Sequence, residues 1–495
     1  MTRRAVRVDR PGLVSTPWRA ASIAIGAAVL LLVGGCKTAP VYNKPQPDMP
    51  VSWQIDAPWR TGSPSDSAPK GNWWTRFGDA QLDTLQQQAL AGNQTLAAAS
   101  ARLAQSRALV DQNLAATFPQ LALGTRVARQ KISQNRPLTN YNSPNFSTVQ
   151  NDFALNLSVS YEADLSGRIQ NATDVARASA EQSAADLENT KLLLTADLAT
   201  NYFNLRALDA EVDVLRRSIA LQRRALELAT ARHDLGATSG LDVAQQQALL
   251  DNTLTQVDVV RRLRGQYEHA IATITGTPAP SFSLPPSTQV IAAPAIPLGV
   301  PSDVLERRPD VASAERAMAA ANAQIGVANA AFYPSVIIGP QLGLDTRLLP
   351  NLFNASSLLW SLGVSATQTL FDGGRIKANV DFARAGYDVT TANYRRVVLT
   401  AMQEVEDGIT SLTALERAYD QAQVAIASAN RVLDLANSRY EGGVSTYLDV
   451  ITAQQGVLNI ERQSAQLLGQ RLLTSVFLVK ALGGDWQGPA KLARN

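Results

Sequence analysis

The chain lacks most of what enzymes and small secreted folds depend on. Its 495 residues include one Cys and two His. A single Cys excludes a disulfide framework and any Cys-rich metal site. Two His argue against a His-based metal centre or a Ser-His-Asp relay. No Walker loop, HExxH or nucleophile elbow occurs. A surplus of one charge is missing too. The formal net charge is +3, but residues 1–35 hold five Arg and one Asp, which leaves 40 basic against 41 acidic residues in the remainder. Nothing in that balance points to nucleic acid. Long apolar helices are also absent, since the stretch from Ala20 to Val33 is too short to span a bilayer.

What is present begins with an address. An Arg-rich start, the apolar run and Leu32-Val33-Gly34-Gly35-Cys36 have the layout of a secretory signal. The segment resembles a bacterial lipoprotein leader, in which Cys36 is acylated and becomes the mature N-terminus. Lys37 is not the Asp that by family rule retains lipoproteins at the inner membrane, so the resemblance implies the outer membrane. Several acyl chains on one residue give stable anchoring, because each buried CH₂ contributes about 0.8 kcal/mol. Thr38 to Lys70 is rich in Pro and Trp. Each Pro removes a backbone donor, so this stretch reads as an extended tether.

The body is one unit written twice. Ala231-Arg232-His233-Asp234-Leu235-Gly236 and Leu241-Asp242-Val243 recur 207 residues later as Ser438-Arg439-Tyr440-Glu441-Gly442-Gly443 and Leu448-Asp449-Val450. Upstream the offset is 215, as between Phe118-Pro119 and Tyr333-Pro334. The segment between these anchors therefore differs by eight residues between copies, which means a duplicated fold with one variable loop region. Each copy reads as helix, two strands, very long helix, tight turn, helix. Leu198, Leu205, Val212, Ile219, Leu226 and His233 lie seven apart, as do Val405, Leu412, Tyr419, Ile426, Leu433 and Tyr440. That period predicts coiled-coil packing. The helices, about Asn171–Leu235 and Lys377–Glu441, would each run roughly 95 Å. Gly236 and Gly443 supply the left-handed residue that ends them.

Four other segments alternate apolar with polar: 121–127, 153–161, 336–344 and 360–366. About ten residues is the length of a tilted membrane strand, although a half-buried sheet in a soluble protein alternates in the same way. Secretion, the Cys36 signal and the missing apolar helix favour the outer membrane. Four strands leave two open edges, which hydrocarbon does not tolerate. Other subunits must close the barrel. Two copies would give eight strands and a filled interior, whereas three would give twelve and a passage.

These residues closely resemble the TolC-like outer-membrane channels, in the lipoprotein (NodT/OprM-type) branch of tripartite drug efflux pumps. The resemblance rests on Trp73-Trp74-Thr75-Arg76-Phe77-Gly78-Asp79, Leu305-Glu306-Arg307-Arg308-Pro309-Asp310, Ala321-Asn322-Ala323-Gln324-Ile325-Gly326 and Leu370-Phe371-Asp372-Gly373-Gly374-Arg375. It implies a mainly α fold with a β-barrel portion: a homotrimeric barrel in the outer membrane, continued by a helical tunnel through the periplasm. It implies no enzyme activity and no cofactor beyond the lipid on Cys36. The partners it implies are a periplasmic adaptor and an inner-membrane pump of the resistance-nodulation-division type, with drugs and small toxic compounds as cargo. Type I protein secretion is the alternative, and a coiled-coil spacer lipoprotein a further rival. The expected organisation is a leader at 1–35, a lipidated tether at 36–75, repeats at 76–276 and 303–484, a linker at 277–302 and a tail at 485–495.

The resemblance also assigns the tips. Arg232, Gly236, Leu241 and Asp242, with Arg439, Gly443 and Leu448, match the turns that meet the adaptor. Family constriction acids fall on Asp449 and Thr452, of which only Asp449 keeps the carboxylate. Tyr440 matches a gate-bonding tyrosine whose usual arginine partner falls on Ser445. Three Asp449 side chains around an axis would form a ring attracting cations. The competing reading is that Asp449, like its twin Asp242, caps a helix start.

Overall fold

The computed structural model describes residues 39–42, 71–131, 133, 149–294 and 307–484. The leader, Cys36, most of the tether and the C-terminal tail lie outside the described residues. The chain divides into two compact units: residues 1–43, 107–178 and 319–388 in one, and 44–106, 179–318 and 389–495 in the other. Seven helices are described: α1 (Ala80–Gly92), α2 (Gln94–Ala115), α3 (Arg168–Asp234), α4 (Gly240–Ile274), α5 (Pro309–Ala330), α6 (Arg375–Glu441) and α7 (Tyr447–Ala481). The strands are β1 (Gln120–Lys131), β2 (Val149–Ala163), β3 (Ser335–Thr346) and β4 (Leu358–Thr367). All four expected strands and both long helices are present. At 67 residues, α3 and α6 each extend about 100 Å. Among the described residues no helix is long and apolar enough to cross a membrane.

The first unit is built on an antiparallel sheet of order β1-β2-β3-β4. Its register turns the alternation of four strands into two faces. Leu123 lies opposite Leu157, Leu157 opposite Leu342, and Leu342 opposite Trp360. One face is therefore apolar from edge to edge, and Trp360 on it is 74% exposed. The other face carries Asn156, Gln341, Ser361 and an Arg126–Asp152 ion pair at 2.8 Å. It is also rich in Gly: a Cβ on Gly343 would come within 2.8 Å of the Leu155 carbonyl oxygen.

Strand passes to helix through Asp372-Gly373-Gly374. Asp372 accepts from the Gly374 N–H (2.9 Å) and the Ile376 N–H (2.7 Å), while both glycines take positive φ. In the first copy Asp164 accepts from Gln170 N–H at 2.8 Å. A side-chain carboxylate of the chain itself thus takes backbone N–H groups at each helix start. Residues 39–42 lie against this unit's helices: Asn322 Nδ2 donates to the Pro40 carbonyl (2.9 Å). A side chain at Gly326 would meet Ala39 and Asn171 at 2.7 Å. The Ala321–Gly326 motif is accordingly a close-packing device.

The second unit holds the main apolar core. Trp73, Trp74 and Phe77 are buried with Leu198, Tyr202, Phe203 and Leu205 of α3 and with Val405 and Leu478. Asp79 ends this motif with two roles. Its Oδ1 caps α1 through the Gln81 and Leu82 N–H groups, and its Oδ2 accepts from the Tyr202 hydroxyl at 2.6 Å. Burial, then this bond, pushes the Tyr202 phenol well above its ordinary range. Residues 284–287 of the linker are strapped to α3 and α4 by polar bonds. Arg206 reaches the Pro285 carbonyl (2.9 Å), and Ser287 N–H donates to Asp209 (3.2 Å).

Arg308 explains much of the Leu305–Asp310 motif, whose first two residues lie outside the described range. It is buried, pairs with Asp310 and Glu404 at 2.6 Å each, and donates to the Ala481 carbonyl at 3.1 Å. In the first copy Asn93 occupies the equivalent place and donates to the Ile274 carbonyl at 2.9 Å.

Candidate functional site: the paired helix-turn-helix tips

Each long helix stops by the same local rule. The Ala237 N–H bonds the Arg232 carbonyl (2.8 Å), and the Val444 N–H bonds the Arg439 carbonyl (3.0 Å). Gly236 and Gly443 have φ of 70° and 74°, the left-handed step that this closure requires. The return helices then start differently. Ser239 Oγ accepts from the Leu241 N–H (3.1 Å), whereas Thr446 makes no side-chain cap bond.

That corrects the capping expectation. Asp242 and Asp449 both stand three residues past the cap, in the first helical turn. There a carboxylate gains from the helix dipole without bonding the cap. Asp242 is half-buried and lies near Tyr447. Asp449 is exposed. Among the described residues its side chain has neither a hydrogen bond nor an ion pair. Thr452 is also exposed, its hydroxyl turned back to the Leu448 carbonyl at 2.8 Å.

The tips meet through a polar-aromatic relay. The Arg232 guanidinium lies 5.6 Å from the centre of the Tyr440 ring. Tyr440 packs on Tyr447 at 4.9 Å between centroids. The Tyr447 hydroxyl donates to Gln246 Oε1 (2.9 Å), and Gln246 Nε2 donates to the Gln222 carbonyl (3.1 Å). Gln246 and Tyr447 are buried. Burial, followed by the nearby Tyr440 and Asp242, pushes the Tyr447 phenol up to about 12, against an opposing effect from Arg232. A cavity of about 70 Å³ bordered by Arg232, Tyr440, Glu441, Tyr447 and Gln454 adjoins the relay.

Of the expected tip residues, Arg232 and Tyr440 are brought together here. Leu241, Leu448, Arg439 and Asp449 face outward. His233 does not fill a heptad core slot as the period suggests. It is exposed, with Nδ1 3.1 Å from the Thr238 carbonyl oxygen, because the helix ends there and the turn offers a nearer partner. Tyr447 and Gln246 were missed by motif reading. The signal was a divergence between copies, Tyr447 against Gly240 and Ala453 against Gln246. Large and small have exchanged places.

A family model described as "Outer membrane efflux protein" matches residues 85–277 and 300–484. The chain belongs to that family. It is 30% identical over 458 residues to the pyoverdine export outer membrane protein OpmQ of Pseudomonas aeruginosa, covering 92% of this chain and 95% of the relative. It is also 30% identical over 467 residues to the toluene efflux pump outer membrane protein TtgC of Pseudomonas putida, covering 93% and 95%. Among solved structures, the outer-membrane channel OprN superposes with a TM-score of 0.83 at 26% identity, covering 92% of this chain and all of the other. The open state of the Neisseria gonorrhoeae MtrE outer membrane channel gives 0.78 at 27%, covering 91% and 98%. The fold is TolC-like, and the protein is the outer-membrane channel component of a tripartite efflux pump. Its place is the outer membrane, extending into the periplasm.

Proposed function

We propose that three copies close around one axis into a passive duct for small toxic compounds. An adaptor docks at the helical tips, and an inner-membrane pump of the resistance-nodulation-division type drives export. The observation that carries this is the sheet: Leu123, Leu157, Leu342 and Trp360 run across one face from edge to edge, and each edge strand has a single partner strand among the described residues. Open edges are not viable in lipid, and twelve strands leave a lumen where eight do not. Relatives that export pyoverdine and toluene support small-molecule cargo over secreted protein. Acylation of Cys36 places the anchor only three residues before Ala39, which is packed against the sheet-bearing unit. At the periplasmic end, exposed Asp449 forms the ring of the constriction.

The test has four readouts. Native mass spectrometry in detergent should find trimers, planar bilayers should show discrete conductance, and Cys36→Ser should abolish palmitate labelling. A deletion strain should lose tolerance to dyes, detergents or antibiotics. Lone protomers, or unchanged tolerance to every compound tried, would refute the duct.

A further inference from the structure

The sheet sorts its charges by face. Strand residues two apart share a face, and the register carries that parity from strand to strand. Six charged residues lie on the four strands: Arg126, Arg129 and Lys131 on β1, Asp152 and Glu162 on β2, and Asp345 on β3. All three acids fall on the polar face, together with Arg126, which Asp152 neutralises at 2.8 Å. Arg129 and Lys131 fall on the apolar face, in line with Leu121, Leu123 and Val127. Both are exposed, and among the described residues neither has an ion pair.

Their place along the strand is as selective as their face. On β2 the apolar face runs from Ala163 to Phe153. At about 3.3 Å per residue and a tilt of about 40°, that run is about 25 Å tall, the height of a membrane barrel's apolar band. Phe153 lies opposite Val127, and the next rows set Asn151 opposite Arg129 and Val149 opposite Lys131. The cations therefore begin where the band ends. Each strand joins a helix at its opposite end, and the helices extend into the periplasm, so this end is the outer one. Charges on edge strands also discourage aggregation. That role would call for cations on both edges, and β4 carries none.

We infer that Arg129 and Lys131 bind a phosphate of a phosphorylated glycolipid in the outer leaflet. Their stems lie along the acyl region while the charged ends reach the headgroup. The Arg fork takes two phosphate oxygens, and Lys adds a point charge. Cations beside a lipid surface attract anionic headgroups, and no acid on this face of the strands competes. The twin positions on β3, Leu344 and Thr346, are neutral, so each copy offers one such site. The inference rests on the reading of the sheet as a membrane wall and adds what its outer rim recognises.

The experiment adds bisphosphorylated lipid A to the full chain in detergent and counts lipid adducts on the trimer by native mass spectrometry. Arg129→Gln and Lys131→Gln should each weaken retention about fivefold, and the double variant about thirtyfold, the share expected of each cation at a lipid surface. Arg129→Lys with Lys131→Arg should retain the glycolipid. Dephosphorylated lipid A should bind the unaltered protein about as weakly as the bisphosphate binds the double variant. Equal retention by the unaltered protein and the double variant overturns the site. So does equal binding of the dephosphorylated form to the unaltered protein, which would show acyl contact alone. Absence of trimers or of conductance in the unaltered protein strikes the membrane-wall reading instead, a different result from a conducting trimer that ignores the glycolipid.

Discussion

Built from one template, the two tips differ in what they leave free. In the first, Ser239 caps the return helix, Arg232 lies over Tyr440, and Asp242 is half-buried. In the second, the cap makes no side-chain bond, and Arg439 and Asp449 are exposed, without an ion pair among the described residues. The same asymmetry recurs along the long helices, where Leu192 of α3 is 6% exposed and its twin Leu399 of α6 is 66% exposed. Duplication supplied the backbone twice. At these positions divergence buried the first copy's side chains and left the second copy's exposed.

The copies differ most in energy at the paired carbonyl clamps. Arg308→Ala strands Asp310 and Glu404 as well as the Ala481 carbonyl, and should destabilise the protein by about 3–5 kcal/mol. Asn93→Ala, which removes the neutral bond to the Ile274 carbonyl and the cap bond from the Leu96 N–H, should cost about 1–2 kcal/mol. Denaturation midpoints of the purified trimer measure both, and equal losses would erase the distinction between copies.

The relay gives the next effect. Tyr447→Phe leaves Gln246 Oε1 buried without its donor, which costs about 1–2 kcal/mol. Adding Gln246→Leu should return part of that loss, because both polar partners are then gone. Hydrogen exchange at the tips would report it. Alkali tests the same site. A phenol raised to about 12 contributes stability that is fully present below the ordinary value near 10 and lost as pH rises from about 10 to about 12. Phenolate absorbance should appear together with faster exchange at the tips, and Tyr447→Phe should abolish the coupling.

The smallest effect on stability separates the two acids. Asp449→Ala and Asp242→Ala each forfeit a dipole interaction of about 0.3–1 kcal/mol. Only Asp449→Ala should raise single-channel conductance. Equal conductance in both variants would assign Asp449 to the helix start alone.

Much of this fold was legible in the residues. Leu198, Leu205 and Val212 at sevenfold spacing lie buried along α3, and the alternation around Leu155 and Leu362 falls on strands. Gly236 and Gly443 end their helices as their neighbours imply. Other readings failed where two candidates competed locally. Ser239 outranks Asp242 as the cap because its oxygen precedes the first turn. His233 continues the period past the point where the helix still has a neighbour to pack against.

Periodicity is a property of a short stretch, so the sequence alone determined which segments coil, which extend and where each turns. It also determined that the unit occurs twice, since the offset is written in the order of residues. Choosing a partner depends on which distant segments arrive at the same place. It is folding that brings Tyr447 to Gln246, 201 positions away, sets Arg308 against Glu404, and places four alternating segments in one register. Burial removes water as a competing partner, and a polar group must then bond to whatever the packing brings within reach.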